Sequence, residues 1–143
     1  MTSPLSVVTY GSISSPKFQT VAVSTLDFDA TISRLKQAIQ EQDLWLIHEI
    51  DPQMLLKRGG YEIRATRQLL FFHPRYMVRL LRLDPNALVE APLKLVVMQM
   101  EDGTVTVRFQ NLDVLFGRYG GFTEFIDELT AICDRIVQTV ATK

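Results

Sequence analysis

The chain has 143 residues and a mass of 16.3 kDa, and 47% of its residues are hydrophobic while 22% are charged. This length is enough to bury a core, and this composition excludes a disordered or fibrous protein. The formal net charge is −1, and the single cysteine, Cys133, excludes an intrachain disulfide and a cysteine-based zinc cluster. Every apolar run is shorter than the roughly 20 residues of a transmembrane helix, so we expect no membrane span.

The start of the chain is rich in serine and proline and shows no sustained hydrophobic periodicity. It predicts a flexible N-terminal arm over residues 1–17, followed by a single α+β domain over residues 18–143. The arm has neither the basic region nor the long apolar stretch of a signal peptide. We therefore expect a cytoplasmic protein.

Two elements open the predicted domain. Alternating β-branched residues over residues 20–25 predict a half-buried strand. Asp27 has a side chain suited to accept hydrogen bonds from the first amides of a helix, and apolar residues then recur at helical spacing over residues 28–42. A strand followed by a helix is predicted here.

Two more strands follow, with a short helical turn between them. Residues 44–50 predict a second strand, in which strict alternation places Leu46 and His48 on the same face. Residues 54–57 predict a helical turn that ends at a glycine pair. Residues 69–72 are an apolar run that follows Gln68, so residues 68–72 predict a third and buried strand.

The last third of the chain predicts a helix, a hairpin and a second helix. Apolar residues at helical spacing predict a helix over residues 75–83. The pair Asp102-Gly103 tolerates positive φ and predicts a hairpin between strands 93–100 and 104–109. An apolar stripe from Phe122 onward predicts a long C-terminal helix. The fold class is therefore α+β, with a mainly antiparallel sheet in β-α-β(4)-α order, an inserted helix and both main helices packed on the sheet.

Positive charge is concentrated between residues 57 and 82. This stretch contains a single acid, Glu62, and seven of the fifteen basic residues: Lys57, Arg58, Arg64, Arg67, Arg75, Arg79 and Arg82. Its formal charge of +6 favours an anionic partner. The helical spacing of the last three arginines predicts a charged stripe, which could equally be a solvated face or pair with the acidic first turn of the C-terminal helix.

Several short motifs, in this order and spacing, resemble the domain-of-unknown-function 302 (DUF302) family. They are Ile50-Asp51, Ile63-Arg64-Ala65-Thr66, Leu69-Leu70-Phe71-Phe72-His73-Pro74, Ala91-Pro92-Leu93, Asp102-Gly103, and Leu115 with Arg118-Tyr119-Gly120. The resemblance covers about residues 21–120. It implies a fold similar to the TATA-binding-protein-like class, commonly as a homodimer.

The chain also departs from the pattern of the family it resembles. The family tends to carry histidine where this chain has Pro52 and Tyr119, so groups suited to proton transfer or metal ligation are missing. Arg64, Thr66 and Arg118 are retained. A guanidinium does not act as a base at neutral pH but holds carboxylates and phosphates well. The retained residues therefore favour binding over catalysis.

We expect a non-catalytic binding module for a small amphipathic anion or for an acidic protein surface. The predicted ligand-binding residues are Arg64, Thr66, Arg67, His73, Arg75, Arg79 and Arg118. In this hypothesis the sheet and the long helix enclose an apolar pocket, with several of these side chains at its mouth. The alternative is an enzyme in which His73 is a general acid or base and arginines stabilise an oxyanion.

Other roles are not expected. Neither His48 nor Cys133 has sequence neighbours that indicate chemistry, so we predict no catalytic residue, cofactor or metal ligand. Nucleic acid is not expected as a partner, because the net charge is −1 and the basic helix has few aromatic residues. A homodimer is expected, because an open sheet has edges that need pairing or covering.

Overall fold

A computed structural model describes residues 4–10 and 15–141 of the chain. The strands are β1 (Ser6–Val7), β2 (Gln19–Val23), β3 (Trp45–Ile50), β4 (Tyr61–Glu62), β5 (Thr66–Phe72), β6 (Leu93–Gln99) and β7 (Val105–Gln110). The helices are α1 (Phe28–Glu41), α2 (Pro52–Arg58), α3 (Pro74–Leu83), a 3-10 helix (Pro85–Glu90), α4 (Leu112–Phe116) and α5 (Thr123–Gln138). None of the helices in this part of the chain is long and apolar enough to cross a bilayer.

Five of the strands form one sheet in the order β2-β7-β6-β5-β3, and every neighbouring pair is antiparallel. The predicted α+β class and the β-α-β(4)-α order of the main elements are confirmed. Strands β1 and β4 form a separate parallel pair. The sequence did not predict this pair, because two-residue strands carry no periodicity.

Helices α1 and α5 pack on one face of the sheet, which we call the helix face. Leu69 and Leu95 are cross-strand neighbours on this face, and both are fully buried with Val107. Leu35 of α1 and Ile136 of α5 are fully buried in the same core. Burial of these side chains is the main source of the stability of the fold.

Aspartate side chains cap the N-termini of helices α1 and α2. The Asp27 side chain accepts a hydrogen bond of 2.8 Å from the amide of Ala30, which confirms the predicted start of α1. The Asp51 side chain accepts one of 3.0 Å from the amide of Met54 at the start of α2. Each bond satisfies an amide that has no partner inside its helix.

The alternation in β3 is interrupted by a bulge. Its register against β5 shifts between two residues, so that Leu46 lies opposite Phe71 while His48 lies opposite Leu70. Phe71 and Leu70 point to opposite faces of the sheet. The prediction that Leu46 and His48 share a face is therefore wrong, because Ile47 is the extra residue of the bulge.

Part of the predicted flexible arm is held by hydrogen bonds. The amide of Val8 donates to the carbonyl of Glu62 at 2.8 Å, next to the β1–β4 pair. The hydroxyl of Tyr10 donates to the carbonyl of Gln99 at 3.2 Å, at the end of β6. These residues correct the prediction of a loose arm. Residues 1–3 and 11–14 of that arm lie outside the described residues.

Candidate functional site on the open face of the sheet

The face of the sheet opposite the helix face, which we call the open face, carries three cross-strand rows. The middle row is Ile50, Gln68, Val96, Arg108 and Val21, and the row near the hairpin turn is Thr66, Met98, Thr106 and Val23. The third row has two parts: His48, Leu70 and Lys94 are neighbours across β3, β5 and β6, and Gln110 and Gln19 are neighbours across β7 and β2. Each row mixes polar and apolar side chains, whereas on the helix face the charged residues Arg67 and Glu49 lie only at the margin of an apolar centre.

A groove of about 610 Å³ lies on the open face. Its apolar lining comes from the strands, from the 3-10 helix and from α4: Phe18, Leu70, Val89, Val96, Met98 and Leu115. Lys94, Arg108 and Glu90 add charged groups to the lining. A mostly apolar groove with a few charged groups is the usual form of a small-molecule site.

The charged groups of the groove differ in their surroundings. Arg108 is only 7% exposed, and its Nε donates to Thr106 Oγ1 at 3.3 Å. Burial lowers the pKa of Arg108, but a guanidinium stays charged at neutral pH. Glu90 accepts a hydrogen bond of 2.8 Å from the Tyr119 hydroxyl, and this bond raises the pKa of Tyr119. Lys94 is exposed and makes no ion pair with any residue that the structure describes.

The first predicted ligand-binding residues lie near the start of β5, where an acid pairs with the arginine. Arg64 Nε lies 3.0 Å from Glu101 Oε2, and both side chains are partly exposed. Thr66 is buried, and its hydroxyl donates to the carbonyl of Arg64 at 3.3 Å. The Thr66 hydroxyl therefore already has a partner inside the chain.

Arg67 belongs to an ion cluster at the margin of the helix face. Its Nη1 lies 2.8 Å from Glu49 Oε2, and its Nη2 lies 3.6 Å from Asp51 Oδ2. Lys36 of α1 also pairs with Glu49. Burial raises the pKa of Glu49, but the hydrogen bonds and charges of Lys36 and Arg67 outweigh it, so the pKa lies below its ordinary value. The charge of Arg67 is thus compensated within the chain.

Two arginines of α3 pair with acids and stack on an aromatic ring. Arg75 Nη1 donates to the Asp43 carbonyl at 2.6 Å and lies 3.4 Å from the Asp43 carboxylate. Arg79 pairs with Glu128 of α5, as one of the two interpretations of the stripe predicted. The guanidinium carbons of Arg75 and Arg79 lie 4.6 and 5.5 Å from the centre of the Tyr76 ring. These contacts brace α3 against its neighbours.

His73 caps the helix that follows it. Its Nδ1 accepts a hydrogen bond of 3.1 Å from the amide of Arg75, which is the role of an N-cap residue. Its ring lies edge-on to that of Trp45, with 5.0 Å between the centres. This arrangement gives the side chain a structural role. The hypothesis that His73 is a general acid or base stays a prediction.

The predicted ligand-binding residues do not converge on one concavity. Arg64 precedes β5 and His73 follows it, so the seven-residue strand places them about 20 Å apart. Arg118 is exposed in the loop before α5. The predicted pocket between the sheet and α5 is wrong, because buried core residues such as Leu129 and Ile136 fill that space. A role of the seven residues in ligand binding stays a prediction.

Neither cysteine chemistry nor a metal cluster is indicated in the described part of the chain. Cys133 is buried on α5, and burial raises the pKa of its thiol to about 12. A thiol with this pKa is not a nucleophile at neutral pH. Across residues 4–10 and 15–141, no group of three or more His, Cys, Asp or Glu side chains is placed to hold a metal ion.

Comparison with known proteins identifies the family. The family model described as "Domain of unknown function DUF302" matches residues 19–140, which is most of the chain. The chain belongs to the DUF302 family. No curated protein matches the chain.

A solved structure from the DUF302 family is similar in fold. It is the crystal structure of an uncharacterized conserved protein DUF302 from Bacillus stearothermophilus, with a TM-score of 0.73. The alignment covers 87% of this chain and 97% of that chain, at 20% sequence identity. At this identity the similarity shows the fold alone.

The groove of this DUF302 protein was missed at the level of sequence, although a signal was present. Leu93, Leu95 and Val97 alternate with Lys94 and the other residues of the open face. This alternation is compatible with a strand, and the apolar set predicts only the face that packs against the core. A charged residue within each hairpin strand, Lys94 in β6 and Arg108 in β7, was the sign that the second face is not part of that core.

Proposed function

We propose that this DUF302 protein is a non-catalytic binding module, and that the groove on its open face takes a small amphipathic anion. The supporting observation is that one groove combines an apolar floor with two cationic side chains, Lys94 and Arg108. An anion with an apolar body would match both parts of this lining.

The apolar part of the groove accounts for most of the expected affinity. Leu70, Val96 and Met98 are partly exposed on the open face, although all three are apolar. A ligand that covers them gains about 25 cal/mol for each Å² of apolar surface removed from water. Met98 also adapts its shape to different ligands, since methionine has an unbranched and flexible side chain.

The charged part selects an anion. Lys94 and Arg108 give the groove two positive charges, whereas Glu90 contributes one negative charge and is engaged by the Tyr119 hydroxyl. A carboxylate or phosphate near Lys94 would accept charge-assisted hydrogen bonds, which are stronger than neutral ones. The groove therefore favours an anionic over a cationic head group.

The other form of the hypothesis, an acidic protein surface bound by the arginine stripe, has less support. Arg75 and Arg79 are each paired with an acid of the same chain, and an approaching acid would have to displace it. We further propose that the protein acts as a homodimer in the cytoplasm. A single cysteine agrees with a reducing compartment, and the open edges of the sheet favour pairing with a second copy.

Calorimetric titration with decanoate tests the ligand site, with decan-1-ol as the neutral probe of the same chain length. We expect decanoate to bind more tightly than decan-1-ol. Lys94→Gln should weaken decanoate about tenfold, or roughly 1.4 kcal/mol, because it removes one charge-assisted hydrogen bond.

Lys57→Gln is the matched control, since Lys57 also lacks an ion pair among the described residues and lies outside the groove. Its affinity for decanoate should equal that of the wild type. Absence of decanoate binding, or equal effects of the two substitutions, would contradict the proposed site.

A further inference from the structure

The groove on the open face contains two opposite charges that do not pair with each other. Glu90, the last residue of the 3-10 helix, and Lys94 of β6 both line it. No ion pair joins these two side chains, although only three residues separate them along the chain. Since opposite charges attract, their separation indicates that another contact holds one of them in place.

Glu90 is the residue that is held. The Tyr119 hydroxyl donates a hydrogen bond of 2.8 Å to Glu90 Oε2. This bond is the main cause of the raised pKa of Tyr119, so the phenol keeps its proton and stays a donor at neutral pH. A hydrogen bond to a carboxylate is also roughly twice as strong as a bond between neutral groups. The carboxylate of Glu90 is therefore directed to Tyr119.

The Tyr119 side chain is itself anchored on the core. Its ring lies against that of Phe122, with 5.7 Å between the centres, and the Phe122 ring stacks on that of Phe116 at 5.5 Å. Both phenylalanines are fully buried. The amide of Tyr119 donates to the carbonyl of Phe116 at 3.0 Å. A ring packed in this way has little rotational freedom, so the hydroxyl has a defined position.

The other charges near the Tyr119 hydroxyl do not replace it as a partner of Glu90. Arg118 lowers the pKa of Tyr119 and Asp84 raises it, so both lie within electrostatic range of the phenol. Neither of them lines the groove, and Arg118 forms no ion pair with Glu90. The hydrogen bond from Tyr119 is therefore the contact that restrains Glu90.

This restraint leaves the charge of Lys94 available to a ligand. A carboxylate that reaches Lys94 meets an ammonium group that no carboxylate of the chain has neutralised. If Glu90 were released, it would compete with the ligand for Lys94. Arg75 and Arg79 are in that paired state, each beside an acid of the same chain.

We propose that Tyr119 is a positioning residue that sets the selectivity of the groove for anions, by holding Glu90 away from Lys94. Tyr119 does not line the groove, so it acts through Glu90 and not by contact with the ligand. This inference rests on the proposed function, because it identifies a residue on which anion binding in the same groove depends.

Tyr119→Phe removes the hydroxyl and keeps the ring that packs on Phe122. Calorimetric titration should show about fivefold weaker binding of decanoate, the size expected for competition from an exposed ion pair. Decan-1-ol should bind unchanged, because it carries no charge. Tyr61→Phe serves as the control, since Tyr61 is exposed and lies outside the groove, and it should alter neither affinity.

A double-mutant cycle distinguishes this charge effect from a change of shape. When Glu90→Gln is already present, Tyr119→Phe should no longer weaken decanoate, because no carboxylate is left to pair with Lys94. A loss of packing would persist in the double variant. Thermal unfolding would establish that all variants are folded.

The restraint is also measurable without a ligand. Reductive methylation with ¹³C-formaldehyde labels lysine side chains for NMR, and comparison with Lys94→Gln assigns the signal of Lys94. Tyr119→Phe should shift this signal, because the released Glu90 pairs with Lys94. The shift should be absent when Glu90→Gln is added, and absent in Tyr61→Phe.

The outcomes separate this inference from the proposed function. If decanoate bound Tyr119→Phe as tightly as the wild type, or if Tyr119→Phe weakened decanoate and decan-1-ol equally, the selectivity role would be wrong while the ligand site would stand. If the wild type bound no decanoate but the Lys94 signal shifted as expected, the ligand would be wrong and the positioning of Glu90 would stand. An unshifted Lys94 signal in Tyr119→Phe would overturn the positioning whatever the titrations showed.

Discussion

The two faces of the five-stranded sheet are formed by the same strands but have different compositions. In β6, Leu95 and Val97 of the helix face are fully buried, whereas Lys94 is exposed and Val96 only partly buried on the open face. The buried centre of the helix face is apolar and stabilises the fold through burial, whereas its charged residues, Arg67 and Glu49, lie at the margin. The open face keeps charged groups beside apolar ones, which a folding core excludes but a binding surface requires. Stability and binding therefore depend on different residues of one strand.

The largest expected effect is on the free energy of unfolding. It comes from changing valine to alanine at two neighbouring positions that lie on opposite faces of the sheet. Val97→Ala should lower the free energy of unfolding by roughly 2 kcal/mol, because it removes buried methyl groups and leaves a cavity. Val96→Ala should lower it by less than about 1 kcal/mol, because Val96 is partly exposed. Urea unfolding measures both values, and equal losses would show that the open face is also core.

A smaller effect on stability is expected at the margin of the helix face, where pH controls the charge of Glu49 in its ion cluster with Arg67 and Lys36. The pKa of Glu49 lies below its ordinary value in the folded protein, so the unfolded chain takes up the proton first as the pH falls. The stabilisation is present above about pH 5 and decreases as the pH falls through the folded pKa.

Glu49→Gln removes this titration, and the free energy of unfolding of the variant should depend less on pH below about 5 than that of the wild type. Denaturant unfolding at several pH values measures the difference. Parallel pH profiles for the two proteins would mean that the cluster contributes no pH-dependent stability.

The smallest expected effect on stability lies on the open face, at the wall of the groove. Val89 is 85% exposed, so Val89→Ser should change the free energy of unfolding by no more than about 0.5 kcal/mol. The same substitution should weaken decanoate about threefold, because the ligand loses an apolar contact. A change in stability without a change in affinity would reverse the assignment of the two faces.

The fold could be predicted from the sequence because its main elements have clear hydrophobic periodicity and recognisable capping and turn residues. Helix α1 was predicted over residues 28–42 and ends at Glu41, and its cap at Asp27 is confirmed. The hairpin turn at Asp102-Gly103 is also confirmed, with a φ of 88° at Gly103. These features depend on local chemistry, which a single sequence contains.

The site could not be predicted in the same way, because it depends on pairing between distant residues. The arginines looked like one cationic segment, but Glu101 and Glu128 come from 37 and 49 residues further along the chain to pair with Arg64 and Arg79. The bulge at Ile47 is likewise visible only against the partner strand. A sequence therefore shows which segment is rich in arginine, whereas only the fold shows which of those arginines are paired with a carboxylate.

The pairing of arginines with acids also determines how the protein acts on ions at a distance. Because Arg64, Arg67, Arg75 and Arg79 each sit beside a carboxylate, their fields largely cancel beyond a few ångströms. An anion in solution is then not drawn toward the molecule from afar, and it reaches the surface by unassisted diffusion. The speed of capture should accordingly vary little with added salt.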